Sequence, residues 1–300
     1  MLESKRERPA HVRSPQNVEA VRAALLRSPG KSTRKAAAQL GISRRSVQRI
    51  LKLDLHLYPY KITVLPKLTA ANKHQRLAFA EWAVNQDVLL NNVWFSDEAH
   101  FHLDGVVNKQ NVRFWAFENP HVLHEKVHHA PRITVWAAIS SHGIIGPFFF
   151  EQTVNSERYL NMLRNNFVPQ LLAKGFQLEN EWFMQDGARP HTANVVLDFL
   201  HETFNANVIS NRFPNRFACG QNWAPNSSDL NPCDYFLWGF LKEKIFPKKP
   251  RTVMELRVLI IEACNEITED LCRVIQNIGV RVEEVARRDG SHIEHVLSRT

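Results

Sequence analysis

The stretch NNVWFSDEAHF at residues 91–101 decides the fold class, because an apolar run leads directly into acidic residues. Val93, Trp94 and Phe95 are consecutive and apolar, which predicts a short buried strand that ends at Asp97. Further strands are predicted around AHFHL and VRFWAF, in the β-prone run RITVWAAIS at 132–140, and in the extended piece GIIGPFFFE. Several strands in succession therefore open this part of the chain.

Helices and strands then alternate. The spacing of apolar residues predicts a helix over 156–174, and EWFMQD at 181–186 predicts a strand that ends at Asp186. A helix over 192–204 and a strand over 207–210 follow. Strands first and alternation afterwards predict an α/β fold, with a mixed sheet and helices on its faces.

Three aspartates stand at positions typical of a catalytic crevice. Asp97 and Asp186 each follow a predicted strand, and side chains at strand ends of α/β sheets project into the ligand crevice. Asp234 falls in the first turn of a helix that Asn231 caps and Pro232 opens. The helix dipole favours an acid there in any case, which is the alternative explanation of Asp234.

Three carboxylates in one place repel one another unless they share cations. Hard oxygen ligands suit Mg²⁺ or Mn²⁺, and two such ions serve an in-line phosphoryl displacement. His191, predicted to open a helix, could touch phosphate or orient Asp186, or be an ordinary surface histidine. Glu98 alternates to the opposite strand face and is left outside the site, and Asp229 is expected to tie down a turn.

The first part of the chain is strongly basic. Residues 1–67 carry 15 Lys and Arg against 4 Asp and Glu, whereas the rest has a net charge of −3. This asymmetry indicates a polyanionic partner, with nucleic acid first, although an unstructured basic tail has the same composition. No run approaches the roughly 20 apolar residues of a membrane helix, so no membrane association is expected.

Residues 16–52 predict three short helices with helix-turn-helix spacing. Ser28-Pro29-Gly30 ends the first, Ser32 or Thr33 caps the second, Gly41 ends it, and Ser43 caps the third. Outward on the third helix we expect DNA contacts from Arg44, Arg45, Ser46, Gln48, Arg49 and Lys52. An amphipathic helix with a solvated basic face remains the alternative. The predicted domains are a basic linker (1–15), the helix-turn-helix domain (16–52), a linker with a bridging helix at 69–86 (53–90) and the α/β body (91–300).

Five motifs in order resemble the mariner-type DNA transposases: GISRRSVQRIL, WFSDEAHF, RITVWAAIS, MQDGARPHTA and PNSSDLNPCDYFLWG. The resemblance runs from about residue 12 to 280. It implies a ribonuclease-H-like catalytic domain of the DDE/D type, preceded by a small all-α helix-turn-helix domain. Carried over residue by residue, it makes Asp97, Asp186 and Asp234 the catalytic and metal-binding triad, and Asp at the third place is typical of the mariner branch.

The resemblance also implies a reaction and its partners. A homodimer would bind the terminal inverted repeats of its element on double-stranded DNA. With two Mg²⁺ or Mn²⁺ ions it would cleave the element ends and join them to target DNA at TA dinucleotides. Such an endonuclease would act in the nucleus.

Two departures from the family pattern qualify this expectation. The interval between Asp186 and Asp234 is 47 residues, longer than in most mariner relatives, and the extra length falls in NRFPNRFACGQN, which is predicted to be a loop. Only one helix-turn-helix module fits, which suggests a copy lacking the first. A domesticated remnant that binds DNA without cutting it is therefore the alternative, and an unrelated ribonuclease-H-like nuclease of RNA hybrids is a third.

Overall fold

A computed structural model describes residues 13–28, 31–57, 67–85, 92–103 and 131–293. The chain divides into two compact units, Met1–Leu65 and Pro66–Thr300, each considered by itself below. The predicted strand VRFWAF lies outside the described residues. Within the described ranges, no helix has the length and apolar character needed to cross a bilayer.

The described residues of the first unit form three short helices whose starts are set by serine caps. They are α1 (Pro15–Leu26), α2 (Thr33–Leu40) and α3 (Arg44–Arg49), and a π-helical turn, Ile50–Asp54, follows α3. Ser14, Ser32 and Ser43 each accept a hydrogen bond from a backbone N–H of the following turn, at 3.0–3.3 Å. Gly41 lies between α2 and α3 with φ of 64°, the left-handed conformation that glycine adopts without strain.

A small apolar core holds these helices together. Val21, Ala36, Ala37, Val47 and Ile50 are buried, and the two alanines let the helices approach closely. At the end of α1, Ala24 is buried and Leu25 packs against this core, whereas Leu26 points away from it and is 75% exposed.

The second unit is built on a five-stranded mixed sheet, which confirms the predicted α/β class. Its strands are β1 (Val93–His102), β2 (Arg132–Ser140), β3 (Gly143–Phe150), β4 (Trp182–Met184) and β5 (Val208–Ile209), in the spatial order β3-β2-β1-β4-β5. The pairs β1–β2 and β2–β3 are antiparallel, whereas β1–β4 and β4–β5 are parallel.

One predicted boundary in this sheet is wrong. The expected strands at 93–97 and around 99–103 are a single strand, β1, so Asp97 lies in its middle and not at its end. The reason is that β1 loses its parallel partner β4 after the pair Phe95↔Met184, but continues to pair with β2 as far as His102↔Arg132. Asp97 therefore lies just past the end of β4, where one flank of β1 becomes free.

Helices cover both faces of the sheet. They are α4 (Ala70–Val84), α5 (Ser156–Met162), α6 (Val168–Ala173), α7 (Asn194–Phe204), α8 (Phe213–Phe217), α9 (Trp238–Ile245), α10 (Val253–Asn265), α11 (Glu269–Cys272) and α12 (Asn277–Arg287). Alternate residues of β1 point to two separate cores: Trp94 packs among residues of α5 and α7, whereas Phe95 packs among residues of α4, α9, α10 and α12. The predicted helix over 156–174 is α5 and α6 joined by a π-helical turn, Leu163–Phe167.

The stretch 211–222 is not a plain loop. It contains the short helix α8, and Gln221 pairs with β5: its N–H donates to the Val208 carbonyl, and its carbonyl accepts from the Ser210 N–H, at 2.9 and 2.8 Å. Phe213 is buried in the second core and packs against Phe217. A buried anchor and a strand-like pairing explain why this segment holds a defined conformation.

Candidate active site

Asp97 sits on the face of β1 that meets α9. The Trp238 indole Nε1–H donates a hydrogen bond to Asp97 Oδ2 at 2.8 Å, which fixes the carboxylate. Burial, reinforced by the charge of Asp234, raises the pKa of Asp97 well above its ordinary value. Asp97 is therefore an acid whose negative charge the surrounding protein disfavours.

Asp234 lies at the start of the helical turn Cys233–Leu237, which is fastened to β1. Asn231 accepts from the Cys233 N–H at 3.1 Å and donates to the Ser96 carbonyl at 3.4 Å, and the Cys233 thiol reaches the Phe95 carbonyl at 3.2 Å. The predicted cap by Asn231 is thus confirmed. The side chain of Asp234 is open to solvent, but nearby protein atoms and the charge of Asp186 raise its pKa to about 6.

Asp186 follows β4 in a loop that a buried glutamine holds. Gln185 Nε2 donates to the Ser210 hydroxyl and to the His191 carbonyl, both at 2.9 Å, while its Oε1 accepts from the Tyr159 hydroxyl at 3.0 Å. Asp186 Oδ1 then accepts from the Ala188 N–H at 2.9 Å. Its side chain stays 44% exposed, so one carboxylate oxygen is fixed while the group still faces solvent.

His191 joins Asp186 to Glu98. Its Nδ1 lies 2.6 Å from Asp186 Oδ1, and its Nε2 lies 3.0 Å from Glu98 Oε1. Burial alone would lower the pKa of His191, but the two carboxylates outweigh it and raise that pKa to about 10. The ring packs on Tyr159 with the centroids 4.1 Å apart, so the imidazolium is held on all sides.

The expectations for these two residues need correction. His191 does not open a helix, because α7 begins at Asn194 and the N–H of His191 bonds the Ala188 carbonyl in a turn. It is also not a surface histidine, since it is only 3% exposed. Glu98 does point to the opposite face from Asp97, but that face carries His191, so Glu98 contacts the Asp186 loop. The sequence could have indicated a role for Glu98 only if the residues packed on its face of β1 had been known.

The charge of Asp234 adds to the raised pKa of Asp97, and the charge of Asp186 adds to that of Asp234, whereas the contacts with His191 lower the pKa of Asp186 despite its burial. The three aspartates form no closed ligand shell. Across the described ranges, no three histidine, cysteine or acidic side chains converge closely enough to enclose a metal ion. The donor chemistry nevertheless fits a divalent cation, because carboxylate oxygens are hard ligands and a bound positive charge would offset the burial and the repulsion that raise the pKa values of Asp97 and Asp234.

Asp229 has a separate, structural partner. The guanidinium of Arg76 on α4 donates to both of its oxygens, at 2.7 and 2.6 Å, and both side chains are fully buried. Arg76 also donates to the Ser227 hydroxyl at 2.7 Å and to the Gly290 carbonyl at 2.9 Å. Asp229 therefore ties down the turn before Asp234, as expected, and Arg76 is a buried anchor that the sequence did not indicate.

In the first unit, the residues expected to contact DNA form an exposed basic surface around α3. Arg44, Arg45, Gln48, Arg49 and Lys52 are exposed. Ser46 differs from them, because it is only half exposed and its hydroxyl lies 2.7 Å from the hydroxyl of Ser43 at the helix cap.

A family model, a relative in sequence and solved structures give consistent matches to this chain. The model of the DDE superfamily endonuclease family matches residues 92–257, which contain all three aspartates. The Tc3 transposase of Caenorhabditis elegans is 26% identical over 263 residues, covering 86% of this chain and 74% of that protein.

Among solved structures, the Mos1 transposase paired-end complex with the left transposon end superimposes with a TM-score of 0.69 at 18% identity. A Mos1 mariner paired-end complex with Mn gives a TM-score of 0.71 at 18% identity. Each match covers 97% of this chain and 83% of the Mos1 chain. The similarity of fold includes the five-stranded mixed sheet, and the resemblance to mariner-type transposases carried by the motifs is confirmed.

Proposed function

The chain belongs to the DDE superfamily endonuclease family, and from this premise we propose that it is a DNA transposase that cuts and joins DNA with Asp97, Asp186 and Asp234. The observation that carries the proposal is the arrangement of these carboxylates. One comes from the free flank of β1, one from the loop after β4 and one from the helix start fastened to β1.

Each residue has a defined task in this proposal. Asp97, Asp186 and Asp234 would hold two Mg²⁺ or Mn²⁺ ions, which supply activation of the attacking oxygen and stabilisation of the leaving one. Trp238 orients Asp97 through its hydrogen bond of 2.8 Å. His191 fixes one oxygen of Asp186, and Glu98 holds His191 from its other side, so both are positioning residues.

The basic surface around α3 would bind double-stranded DNA. Exposed arginine and glutamine side chains suit base edges in the major groove, and lysine suits phosphate. The solved Mos1 structure holds a transposon end in a paired-end complex. By this similarity we propose terminal inverted repeats as the bound sequence and a homodimer as the active form. From the resemblance of the motifs to mariner-type transposases we propose TA dinucleotides as the target, and from the DNA substrate we propose the nucleus as the place of action.

Nicking of supercoiled plasmid in Mg²⁺ or Mn²⁺ tests the cleavage step. We expect the wild type to nick DNA and Asp186→Asn to fall to background, because the amide loses the charge that holds a cation. Asp270→Asn is the matched control, since Asp270 lies on α11 with its side chain 81% exposed and pairs only with Arg273 among the described residues. This control should retain full activity.

A measurement without turnover tests the metal site. Added Mn²⁺ should raise the melting temperature of the wild type, since a ligand that binds only the folded state stabilises it, and the shift should vanish in Asp186→Asn. Absence of nicking and of this shift in the wild type, with DNA binding intact, would favour the alternative of a DNA-binding remnant.

A further inference from the structure

A groove with amide and arginine side chains in its lining borders the stretch 211–222. Its main cavity of about 430 Å³ is lined by α4 and by residues of this stretch, including Asn211, Arg212, Asn215 and Gln221. A second cavity of about 340 Å³ lies next to it and shares Arg212 and Asn215. Volumes of this size accommodate small organic groups. We call the two cavities together the amide groove.

The chemistry of the amide groove is that of a hydrogen-bonding and weakly cationic surface. Its lining includes the amides of Asn211, Asn215, Gln221 and Asn222 beside the apolar side chains of Ala78 and Trp223. Among the residues that the structure describes, no Asp or Glu lines either cavity. Arg216 is neutralised by Asp198, with contacts of 2.7 and 2.9 Å. Arg212 has no carboxylate partner within the described part of the chain, and its guanidinium donates only to the Thr192 carbonyl, at 3.1 Å.

The amide groove begins at the catalytic loop. Thr192, which receives the hydrogen bond of Arg212, follows His191 directly in the chain. On the other side, Asn211 packs so closely on Gly187 that a Cβ at position 187 would collide with its amide nitrogen. The groove is therefore anchored at both ends of the loop that carries Asp186 and His191.

Arg212 also adopts a costly backbone conformation. Its φ is 69°, in the left-handed region that non-glycine residues rarely adopt. Such a conformation persists where the surroundings impose it, and Arg212, which directly precedes α8, lines the groove and donates to the Thr192 carbonyl. The position therefore holds a cation beside the catalytic loop that pairs with no carboxylate among the described residues.

We propose that the amide groove binds the sugar-phosphate backbone of the DNA strand that runs from the cleaved phosphate. This rests on the proposed function, because it assigns a path to the substrate of the same site. Amide and guanidinium donors suit phosphate and sugar oxygens, and the described lining residues include no carboxylate that would repel a DNA strand.

The test isolates the groove from the basic surface around α3. In the full chain carrying Arg44→Ala and Arg49→Ala, affinity for a mixed-sequence duplex is measured in EDTA over a range of salt concentrations. Adding Arg212→Gln should weaken binding several-fold and reduce the salt slope by about 0.9, the loss of one phosphate contact. Arg212→Lys should keep most of the slope.

Asn215→Asp is the second variant, because it changes an exposed side chain without altering its volume. It should weaken binding and leave the melting temperature unchanged. Arg273→Gln, which removes an exposed arginine lining neither cavity, is the matched control and should change nothing.

The outcomes separate the groove from the function on which it rests. Unchanged affinity and slope in both groove variants, while the wild type still nicks plasmid, would overturn the DNA assignment and favour an acidic protein segment as the occupant. A wild type that neither nicks plasmid nor shifts its melting temperature with Mn²⁺ would instead overturn the proposed function.

Discussion

The Arg76–Asp229 pair and the Glu98–His191–Asp186 network are both charge networks of the second unit. They differ in solvent exposure, because the first is closed to solvent whereas the second ends at a carboxylate that solvent can reach. Both side chains of the first pair are 0% exposed, and their donors and acceptors are used within the protein. In the second network His191 is 4% exposed, but the terminal carboxylate of Asp186 is 44% exposed.

This difference separates a structural network from a functional one. A closed network has no group free to bind a ligand, so removing one of its members should lower the stability of the folded state. The open network fixes one oxygen of Asp186 and leaves the carboxylate accessible. Removing a member of this network should therefore lower nicking activity more than stability. The predictions below test that division.

The largest effect is expected from Arg76→Met. It leaves Asp229 buried without its cation, which should cost about 3–5 kcal/mol in the free energy of unfolding. The melting temperature should then fall by about 10 °C. Arg273→Met, at an arginine whose side chain is 72% exposed, should have almost no effect in the same thermal scan. Equal, small shifts in the two variants would contradict a structural role for Arg76.

Glu98→Gln should act in the opposite way. The amide preserves the shape of the side chain but removes the charge that holds His191, so we expect nicking to fall about 10- to 100-fold, as for outer partners of metal ligands. The melting temperature should change by less than about 2 °C. A higher Mn²⁺ concentration needed for half-maximal nicking would identify the loss as one of positioning. A drop in melting temperature as large as that of Arg76→Met would show that Glu98 mainly stabilises the fold.

Asp234→Asn should stabilise the metal-free protein. Because the pKa of Asp234 is raised to about 6 in the folded state, its ionisation disfavours the folded state above that pH. This penalty disappears as the pH falls toward the ordinary value of about 3.9. Discounted for solvent exposure to about 1 kcal/mol, it corresponds to a gain of about 2–4 °C at pH 8. Thermal scans at pH 8 and pH 4.5 should show a clearly smaller difference at the lower pH.

The smallest expected effect is a difference in the reactivity of the cysteine thiols, which again depends on whether a group is buried or open to solvent. Cys219 is partly exposed, whereas burial raises the pKa of Cys264 to about 12 and that of Cys272 to about 11. Cys233 is fully buried against β1. Limited alkylation of the native protein at pH 8, followed by mass spectrometry, should modify Cys219 first. Alkylation of Cys264 as early as that of Cys219 would contradict the burial of Cys264 on α10.

The sequence predicted the fold class well because strands and helices of this chain have clear periodicities. RITVWAAIS is strand β2, and the apolar spacing over 156–174 matches α5 and α6. The break expected after Asp97 was wrong, because an acidic residue in a strand is tolerated where the neighbouring strand has ended. That information lies in β4, almost ninety residues away.

The site was predictable residue by residue but not as a network. Asp97, Asp186 and Asp234 stand at recognisable positions, and their catalytic role stays a prediction. Glu98 was left out because alternation assigns it to a face without saying what covers that face. Arg76 escaped notice because a helix with one inward arginine looks like any exposed basic helix. Both omissions concern contacts between residues distant in the chain, 93 and 153 positions apart.

The pairing of Gln221 with β5 also bears on how the protein avoids aggregation at the edge of its sheet. β5 is the outermost strand on its side of the sheet, so its free N–H and C=O groups are where a strand of another molecule could add. Gln221 occupies the Val208 carbonyl and the Ser210 N–H. The stretch 211–222 thus covers part of this edge of the sheet. If it were shortened to give the Asp186–Asp234 interval of most mariner relatives, another segment would have to protect the edge from aggregation.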